Sequence, residues 1–581
     1  MTQSSSSFDP NMVLDFTRGG LLPAPALREL DRIAEKQRDA FSALIAELSR
    51  GRERNIDWWV SRAASRNTHM SSLFTQCMQL ALVRTLLDAG IRPSVKVNDH
   101  EMAAILRSVL GEARVVFVGG GRLRRLRAAI WDIGSSIFHS SASSLAAWRT
   151  RRERKPIPDL PISVLETFVY HDSLSEDGGF KDFHYPTLYE SLSEEQRRRL
   201  YYLPLFYRLK NYTPYFLKLR RSKCNFLPRE DYLRWADYFF AFMHWWRIIR
   251  LKGRAVRFAG FDVGLLVDAE LEAGRFANSA IQALLNYRFW ALNRSGLAIH
   301  RYIDWYEGHD IDHAVAAAIN WHARSPELIA FRPIAPGSYL SVTPTPHEFA
   351  CGVVASVWGI IGSRVRHEIS QIDSHVQVYP APGLRHRRLC QFERRPPLDG
   401  RKTILVLFSQ EMDLTSRLLT TVGPLLGKNS GYRWLIKRHP GMPRAKAEAA
   451  VSTYSRDAEL VEGDFFEYLA QASVVIGLGS NTLIEAVAAG VPTICASSGN
   501  EPTEVPFSSS FKLGWWSVCY DSAELAALIP LAIEASETQA PSQDLKEALL
   551  GPFDVSVMHA LLFSPLQPID SVGGGARYSP S

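Results

Sequence analysis

The chain has 581 residues, of which 46% are hydrophobic, and a chain of this size buries two or three separate cores. Its 67 Lys and Arg residues against 60 Asp and Glu residues give a net charge of +7, far from the strongly basic composition of a nucleic-acid-binding protein. We therefore expect no nucleic-acid partner, while an anionic small molecule or an acidic lipid surface suits the charge.

Cysteine spacing indicates a reducing compartment, and the hydropathy pattern argues against secretion and against a membrane-spanning helix. The six cysteines are scattered without a close pair, which argues against a zinc site and against a disulfide scaffold. Residues 1–10 lack the basic start and apolar centre of a secretory signal, and no run of about 18 uncharged apolar residues follows. We predict a cytoplasmic protein that is soluble or peripheral on the inner face of the cell membrane.

In chain order, residues 1–90 are predicted to form a helical N-terminal extension and residues 91–385 an α/β domain with helical insertions. A β-α-β pattern over residues 94–118 begins this domain. Further strands are predicted at residues 162–170, 255–261, 298–305, 328–331 and 357–361, and helices at residues 277–292 and 311–324.

Aromatic and basic residues interleave over residues 197–254, the predicted helical insertion of this domain. Such a mixture suits a membrane interface, where rings lie at headgroup depth and cations meet anionic lipids. A packed helical subdomain with basic edges explains the pattern nearly as well, and nucleic-acid contact through the same cluster is a third, weaker interpretation.

Residues 386–401 are charged, contain prolines and lack apolar periodicity, which predicts an interdomain linker. Regular strand–helix alternation follows and predicts a Rossmann-like domain over residues 402–565, then a disordered tail over residues 566–581. The predicted strands cover residues 403–408, 433–437, 459–461, 474–476 and 493–496. Units of this spacing form a parallel, doubly wound sheet, whose ligands bind at the carboxyl ends of the strands.

Two motifs of this domain follow predicted strands. Lys437, Arg438 and His439 place two fixed charges and an imidazole donor at one strand end, and Pro440 prevents the strand from continuing. A solvated basic turn is the alternative interpretation.

The second motif joins a strand to a helix. Gly479 and Ser480 follow the strand at residues 474–476, and Ser480, Asn481 or Thr482 is suited to cap the next helix, so backbone N–H groups and the helix dipole face the strand-end crevice. Because both motifs lie on one predicted sheet, we predict a phosphate site between them. Glu485, one turn into the helix, is placed to accept from ribose hydroxyls, or it is an exposed helix glutamate.

The spacing of these motifs resembles the nucleotide-binding half of GT-B glycosyltransferases. The residues that carry the resemblance are Lys437-Arg-His-Pro440, Val461-Glu-Gly463, Phe465-Phe466, Leu469, Gly479-Ser-Asn-Thr482, Glu485-Ala486 and Gly490-Val-Pro492. Within that fold the pattern is similar to enzymes of bacterial surface polysaccharides: capsule Kdo transferases, sialyltransferases with a His-Pro motif, and glycerophosphotransferases of teichoic acid synthesis. The resemblance covers about residues 400–535.

This resemblance implies an α/β fold with two Rossmann-like domains of GT-B type. It also implies that His439 contacts the nucleotide phosphate, that Ser480 and Thr482 hold the same phosphate, and that Glu485 addresses the ribose or the base. The N-terminal half resembles the acceptor half of unassigned transferases encoded with bacterial surface-carbohydrate genes. That second resemblance rests on Asp57-Trp-Trp59, Ser65-Arg-Asn67, Ser72-Leu-Phe74, Gly179-Phe-Lys-Asp182, Ile303-Asp-Trp-Tyr-Glu307 and Pro344-Thr-Pro346 with Glu348.

Glycosyl transfer with inversion also needs a base that takes the acceptor proton. Asp304 and Glu307 lie at the end of a predicted strand, and Glu307 is the preferred base, followed by Asp304, His309 and His184. A carboxylate that caps the next helix is the alternative. His309 and His313 share a helix face as metal ligands do, but no third ligand is signalled, so we predict no metal site.

These observations predict a metal-independent glycosyltransferase that uses no cofactor and takes a nucleotide sugar as its donor substrate. A CMP-activated ulosonic acid is the narrower prediction for the donor. The predicted acceptor is a glycan or lipid-linked glycan of lipopolysaccharide or capsule. Three alternatives stay open: a glycerophosphotransferase-like polymer transferase, a nucleotide-sugar epimerase of the same architecture, and a non-catalytic assembly protein.

Overall fold

The computed structural model describes residues 8–9, 12–119, 121–206, 209, 211–322, 326–333, 343–363, 366, 376–395, 400–426, 431–455, 458–507, 514–538 and 543–566. The helices are α1 Ala24–Ser49, α2 Ile56–Trp59, α3 Leu73–Asp88, α4 His100–Leu110, α5 Gly121–Arg149, α6 Leu188–Ser191, α7 Glu194–Arg199, α8 Tyr212–Arg221, α9 Trp235–Phe242, α10 His244–Arg247, α11 Gly264–Gly274, α12 Asn278–Ala291, α13 Asp310–Trp321, α14 Pro346–Cys351, α15 Met412–Val422, α16 Arg444–Ser452, α17 Phe465–Leu469, α18 Asn481–Ala488, α19 Ser522–Thr538, α20 Gln543–Leu550 and α21 Val555–Phe563.

The strands are β1 Val13–Asp15, β2 Ser94–Val97, β3 Val115–Phe117, β4 Ile162–Val169, β5 Leu200–Phe206, β6 Arg257–Phe258, β7 Phe261–Asp262, β8 Ile299–Trp305, β9 Glu327–Arg332, β10 Val357–Ile360, β11 Gln377–Pro380, β12 Lys402–Leu407, β13 Tyr432–Lys437, β14 Glu459–Val461, β15 Ala472–Gly477, β16 Thr493–Ala496 and β17 Trp516–Cys519. Apart from the antiparallel pair β6–β7, the described strands form parallel sheets.

The C-terminal sheet has the strand order β14-β13-β12-β15-β16-β17, all parallel. This is the order of a Rossmann sheet, in which the chain reverses direction across the sheet between its first strand, β12, and its fourth, β15. Both strands are fully buried in their centres because helices cover both faces, as in other parallel sheets. A ligand of such a sheet binds beyond the ends of β12 and β15.

The N-terminal sheet has the order β11-β10-β9-β8-β4-β5, also parallel. Here the reversal falls between β4 and β8, so the loop after β8, which carries Glu307, lies at the corresponding point of this sheet. One hydrophobic cluster includes Leu165 and Ile303 from this sheet and Val475 from the other. The α/β fold with two Rossmann-like units that the sequence predicted is therefore confirmed.

The β-α-β unit predicted at residues 94–118 forms, but it does not begin the larger N-terminal sheet. Its strands pair with β1 in a separate three-stranded sheet. Helix α1, which precedes this unit, packs on the C-terminal half: Asp31 accepts from the Thr503 backbone N–H and from the Tyr520 hydroxyl. Residues 12–90 contain the helices α1, α2 and α3 together with strand β1, which belongs to this α/β unit beside the C-terminal sheet.

The last helix, α21, returns to the N-terminal sheet. Arg301 of β8 donates to the carbonyl oxygens of Leu561 and Ser564, and Ser163 of β4 donates to that of Leu562. Arg301 is almost completely buried, so its two hydrogen bonds anchor α21 on the N-terminal sheet.

Most predicted strand ends agree with the structure to within two residues, and six segments differ. Residues 200–206, assigned to the helical insertion, are the edge strand β5, and the strand predicted at 255–261 is instead the short pair β6–β7. Residues 386–391 of the predicted linker belong to a packed 3₁₀ helix, Leu384–Gln391, and the strands β1, β11 and β17 were missed. Residues 396–399 of the linker and 567–581 of the predicted tail lie outside the described residues. No described helix is long and apolar enough to cross a membrane.

Candidate functional site

A cavity of about 990 Å³ lies beyond the carboxyl ends of β12, β13 and β15. All eight predicted donor residues line it: Lys437, Arg438, His439, Gly479, Ser480, Asn481, Thr482 and Glu485. The opposite wall comes from the N-terminal part of the chain, with Arg18, Thr68, His69, Phe74 and Thr75. The cavity therefore lies where the strand order reverses and is closed by a segment that is remote in sequence.

Ser480 is the N-cap of helix α18. Its backbone is extended, its Oγ accepts from the Thr482 N–H at 3.3 Å, and it donates to Thr482 Oγ1 at 3.2 Å. The first turn of the helix therefore opens into the cavity with its backbone N–H groups and two hydroxyls. This is the arrangement that binds an anion at a helix N-terminus.

Gly479 is required by a close backbone approach. A Cβ atom added at this position would lie 1.7 Å from the carbonyl oxygen of Glu504, whereas one at Gly477 would meet its nearest neighbour at 3.4 Å. Any side chain at residue 479 must therefore displace the loop that carries Glu504, which itself lines the cavity. Because residue 479 has no side chain, the Glu504 loop can approach it closely and form this wall of the cavity.

The three basic residues after β13 have different roles in the structure. Lys437 donates from Nζ to the carbonyl oxygen of Gly463 at 2.7 Å, and burial lowers its pKa. Arg438 pairs with Glu462 at 2.7 Å and donates to the carbonyl oxygen of Met442, so its guanidinium braces the turn.

His439 presents one defined nitrogen to a ligand. Its Nδ1 accepts from the Gly441 N–H at 3.0 Å, so the proton of the neutral ring is on Nε2. The side chain is exposed and lines the cavity. Nε2–H is thus a donor that suits a phosphate oxygen in either protonation state.

Glu485 is held in place by a partner from the predicted linker. His386 Nδ1 lies 2.7 Å from Glu485 Oε1, and the His386 side chain is buried in the packed 3₁₀ helix. Glu485 still lines the cavity, which places an oriented carboxylate one turn below the helix start. It is therefore not a simple exposed helix glutamate.

A bridge of two hydrogen bonds joins the two sides of the cleft through residues 67 and 68. Asn67 Nδ2 donates to the backbone carbonyl of Glu307 at 3.1 Å, and Thr68 Oγ1 donates to Glu504 at 2.8 Å. The preceding residue, Arg66, forms a buried ion pair with Glu348 at 2.6 Å. The segment that carries Asn67 is consequently anchored on both sides of the cleft.

Glu307 and Asp304 do not line the cavity, and they differ in accessibility. The Glu307 side chain is 29% exposed, and its carboxylate accepts from Trp305 Nε1 at 2.8 Å and pairs with His309 at 3.1 Å. Burial alone would raise the pKa of Glu307, but the bond to His309 lowers it overall. The same pair raises the pKa of His309 to about 9 despite its burial.

Asp304 lies deeper, at 2% exposure, with Oδ1 buried and without a hydrogen-bond partner in the described part of the chain. Burial and the nearby carboxylates Asp312 and Glu166 raise its pKa well above the usual range. Asp312 accepts from the backbone N–H groups of Glu307 and His309, so this buried cluster shapes the loop that presents Glu307.

His184, the last of the predicted bases, packs edge-on against Trp305 with ring centroids 4.1 Å apart. Burial lowers its pKa to about 3, so it is neutral near pH 7. His313 of the considered metal motif faces Glu348 and the carbonyl oxygen of Trp59, whereas His309 faces Glu307, so the two histidines have different partners.

Several lining residues were missed at the sequence level, notably His69, Ser409, Gln410 and Glu504. Ser409 and Gln410 follow β12, and the rule that ligands bind at strand ends would have found them once β12 was recognised as the first strand of the sheet. His69 and Glu504 reach the site only through tertiary packing, for which the sequence carries no local signal.

The sequence matches no protein-family model and no curated protein. Similar solved structures include a UDP-GlcNAc 2-epimerase from Neisseria meningitidis bound to UDP-GlcNAc, with 10% identity, 69% of this chain and 99% of that chain covered, and a TM-score of 0.39. The glycosyltransferase SnogD from Streptomyces nogalater is 11% identical, with 69% of this chain and 99% of that chain covered and a TM-score of 0.33. MurG from Acinetobacter baumannii is 10% identical, with 66% of this chain and 97% of that chain covered and a TM-score of 0.32.

Proposed function

We propose that the protein is a GT-B-type glycosyltransferase that takes a sugar from a nucleotide donor. The observation that carries this proposal is the convergence of the eight predicted donor residues on one cavity at the strand-order reversal of a Rossmann sheet. The N-terminal residues on the opposite wall offer the place for an acceptor.

In the proposed reaction the bond between the sugar and the donor phosphate breaks, and a bond forms to an acceptor oxygen. The departing phosphate is met by His439 Nε2–H, by Ser480 and Thr482, and by the N–H groups of the helix that begins at Asn481. These donors are preorganised, so they stabilise the charge that develops as the phosphate leaves. This assignment needs no metal ion and no cofactor.

The acceptor hydroxyl proton passes to a base on the N-terminal side of the cleft. Glu307 is our first candidate, because its lowered pKa keeps it ionised and Trp305, His309 and the loop bonds to Asp312 fix its position. His69 is the second candidate, because it is exposed and lines the cavity directly. Asp304 is less suited, since it lies almost fully buried beneath the loop.

The narrower proposal concerns the substrates. The His-Pro motif at residues 439–440 directs us to a CMP-linked ulosonic acid as donor, and the motif resemblances direct us to a cytoplasmic enzyme of bacterial surface polysaccharide whose acceptor is a glycan or lipid-linked glycan. A panel of CMP, UDP, CDP and GDP in thermal-shift measurements tests the nucleotide, because a ligand that binds the folded state at 100-fold its Kd stabilises by about 2.7 kcal/mol.

We expect one nucleotide of the panel to raise the Tm of the wild type, and His439→Ala and Ser480→Ala to lose at least tenfold in affinity by calorimetry. His171→Ala, which changes an exposed histidine outside the cavity, is the matched control and should bind as the wild type does. Unchanged affinity in both site variants would remove the donor assignment.

Transfer is tested separately from binding. Glu307→Gln and His69→Gln should both retain nucleotide affinity, and the variant of the true base should lose transfer to a lipid-linked or oligosaccharide acceptor by about 100-fold or more. If the purified enzyme converts a nucleotide sugar into its epimer without any acceptor, the transferase proposal fails and the epimerase alternative takes its place.

A further inference from the structure

The long helix α5, Gly121–Arg149, presents an apolar face to solvent. Its exposed large apolar side chains are Ile130, Trp131, Ile137, Phe138, Leu145 and Trp148. They are spaced by one or two helical turns and thus share one face. Trp131 is 76% exposed and Trp148 is 70% exposed, whereas tryptophan side chains of folded proteins are on average largely buried.

The opposite face of the same helix is buried although its residues are small or polar. Ser136, Ser140, Ser143, Ala146 and Ala147 are all almost inaccessible. A helix that packs its serines inward and its tryptophans outward is inverted relative to an ordinary amphipathic surface helix. The outward residues therefore indicate a partner that covers them.

A second helix exposes further large aromatic side chains. Helix α9 is linked to α5 by a hydrogen bond of 2.6 Å from Ser144 to Tyr238, and it exposes Trp235 at 90% and Phe239 at 69%. We call the eight exposed side chains the aromatic face: Ile130, Trp131, Ile137, Phe138, Leu145, Trp148, Trp235 and Phe239. A monomer rarely exposes so many large apolar side chains together without a function for them.

Cations frame the aromatic face. Arg127 stands near one end of α5 and Arg149, Arg151 and Arg152 stand at the other, all exposed. The acidic residues nearby are engaged or partly buried: Glu153 pairs with Arg221, and burial raises the pKa of Asp132.

We propose that the aromatic face docks on an anionic lipid bilayer, with α5 lying in the plane of the headgroups. Tryptophan and phenylalanine enter the boundary between headgroups and acyl chains, while arginines contact lipid phosphates. The 19 residues from Ile130 to Trp148 give about 28 Å of contact along the surface. A second copy of the chain fits less well, because either relative orientation of two α5 helices places arginines opposite arginines.

The residues available for contact with a membrane differ from those that the sequence predicted. Within residues 197–254, Tyr201, Tyr202, Tyr212 and Phe216 are buried core residues, so they are unavailable to lipid. Trp235 and Phe239 remain available, and most of the surface comes from α5, which lies outside that segment.

Sedimentation with vesicles tests this proposal. The full-length protein should bind vesicles of phosphatidylcholine with phosphatidylglycerol, bind those of phosphatidylcholine alone at least tenfold more weakly, and dissociate as salt rises. A triple variant that combines Trp131→Ala, Phe138→Ala and Trp148→Ala should bind these vesicles at least tenfold more weakly than the wild type. Leu531→Ala, which removes an exposed leucine of α19, is the control and should bind normally.

The charges are tested by Arg151→Gln with Arg152→Gln, for which we expect about a fivefold loss of vesicle binding per arginine. Circular dichroism and Tm verify that each variant is folded, and every changed side chain is exposed. Equal binding by the wild type and the triple variant would overturn the proposal. So would a wild-type dimer in solution that the triple variant abolishes while vesicle binding is absent, since the aromatic face would then be an interface between copies of this chain.

Discussion

Glu307 and His309 form an ion pair, 3.1 Å between Oε2 and Nε2, that is set by groups on both sides of it. Trp305 donates to the other carboxylate oxygen, and Asp312 accepts from the backbone N–H groups of both residues of the pair. These four contacts therefore fix the position of the Glu307 carboxylate in the loop after β8, at the strand-order reversal of the N-terminal sheet.

The pair predicts a pH dependence of stability. Because the pKa of His309 is raised from its ordinary value to about 9, its contribution to the free energy of unfolding is complete below about pH 6.5 and is lost as the pH rises through 9. We expect His309→Gln to lose about 1–3 kcal/mol near pH 6 and much less near pH 10. Urea unfolding across this range measures the difference, with His171→Gln as the exposed control. A pH-independent difference would contradict the ion pair.

The turn at Gly479 predicts a sharp contrast between two glycines. Gly479→Ala brings a Cβ atom within 1.7 Å of the Glu504 carbonyl oxygen, so the loop must move and the cavity wall with it. Gly477→Ala, two residues earlier, meets side chains at 3.4 Å or more and is the matched control.

We expect the Gly479 variant to lose at least tenfold in nucleotide affinity in calorimetry and the Gly477 variant to lose less than threefold. Because the clash involves backbone, a rotamer change cannot relieve it. Equal affinity of the two variants would mean that the approach of residues 479 and 504 does not shape the site.

The Arg66–Glu348 pair predicts a large loss of stability. Both side chains are buried; burial raises the pKa of Glu348, but Arg66 and His313 lower it overall. Glu348→Gln leaves a buried guanidinium without its counter-charge, which costs about 3–5 kcal/mol. Asp88→Asn, which breaks the exposed pair with Arg84, should cost less than about 1 kcal/mol. Chemical denaturation measures the free energy of unfolding of both variants. A loss below about 1 kcal/mol for Glu348→Gln would show that the pair is dispensable.

The C-terminal sheet was predictable because its strands are short apolar runs separated by turn residues and helices. Strand β5 was not, since Pro204 within it argues against a strand, yet β5 is the outermost strand of its sheet, where a proline is tolerated. Burial of its tyrosines also removed much of the pattern that had resembled a membrane segment.

The C-terminal wall of the cavity could be predicted for the same reason as the sheet: each motif follows its strand directly, so chain order places it. The opposite wall could not. Thr68 contacts Glu504 although the two residues are 436 positions apart, and only the packing of the N-terminal unit on the C-terminal half brings them together. The linker prediction missed His386, because three buried residues among many charges give no periodicity.

His386 supplies the last prediction. Its Nδ1 lies 2.7 Å from Glu485 Oε1 and orients a carboxylate that lines the cavity. If Glu485 addresses the ribose or the base of the donor, His386→Ala should raise the KM for the donor about three- to tenfold with little change in kcat, because a positioning contact is lost and the departing phosphate keeps its own donors.

A double-mutant cycle separates this role from general damage. Glu485→Ala should weaken donor binding more than His386→Ala does, and the double variant should resemble Glu485→Ala alone, since His386 acts through that carboxylate. Calorimetry with the nucleotide found in the panel measures all four proteins. Additive losses would show that His386 stabilises its 3₁₀ helix independently of the site, and the orientation of Glu485 would then have to come from the helix alone.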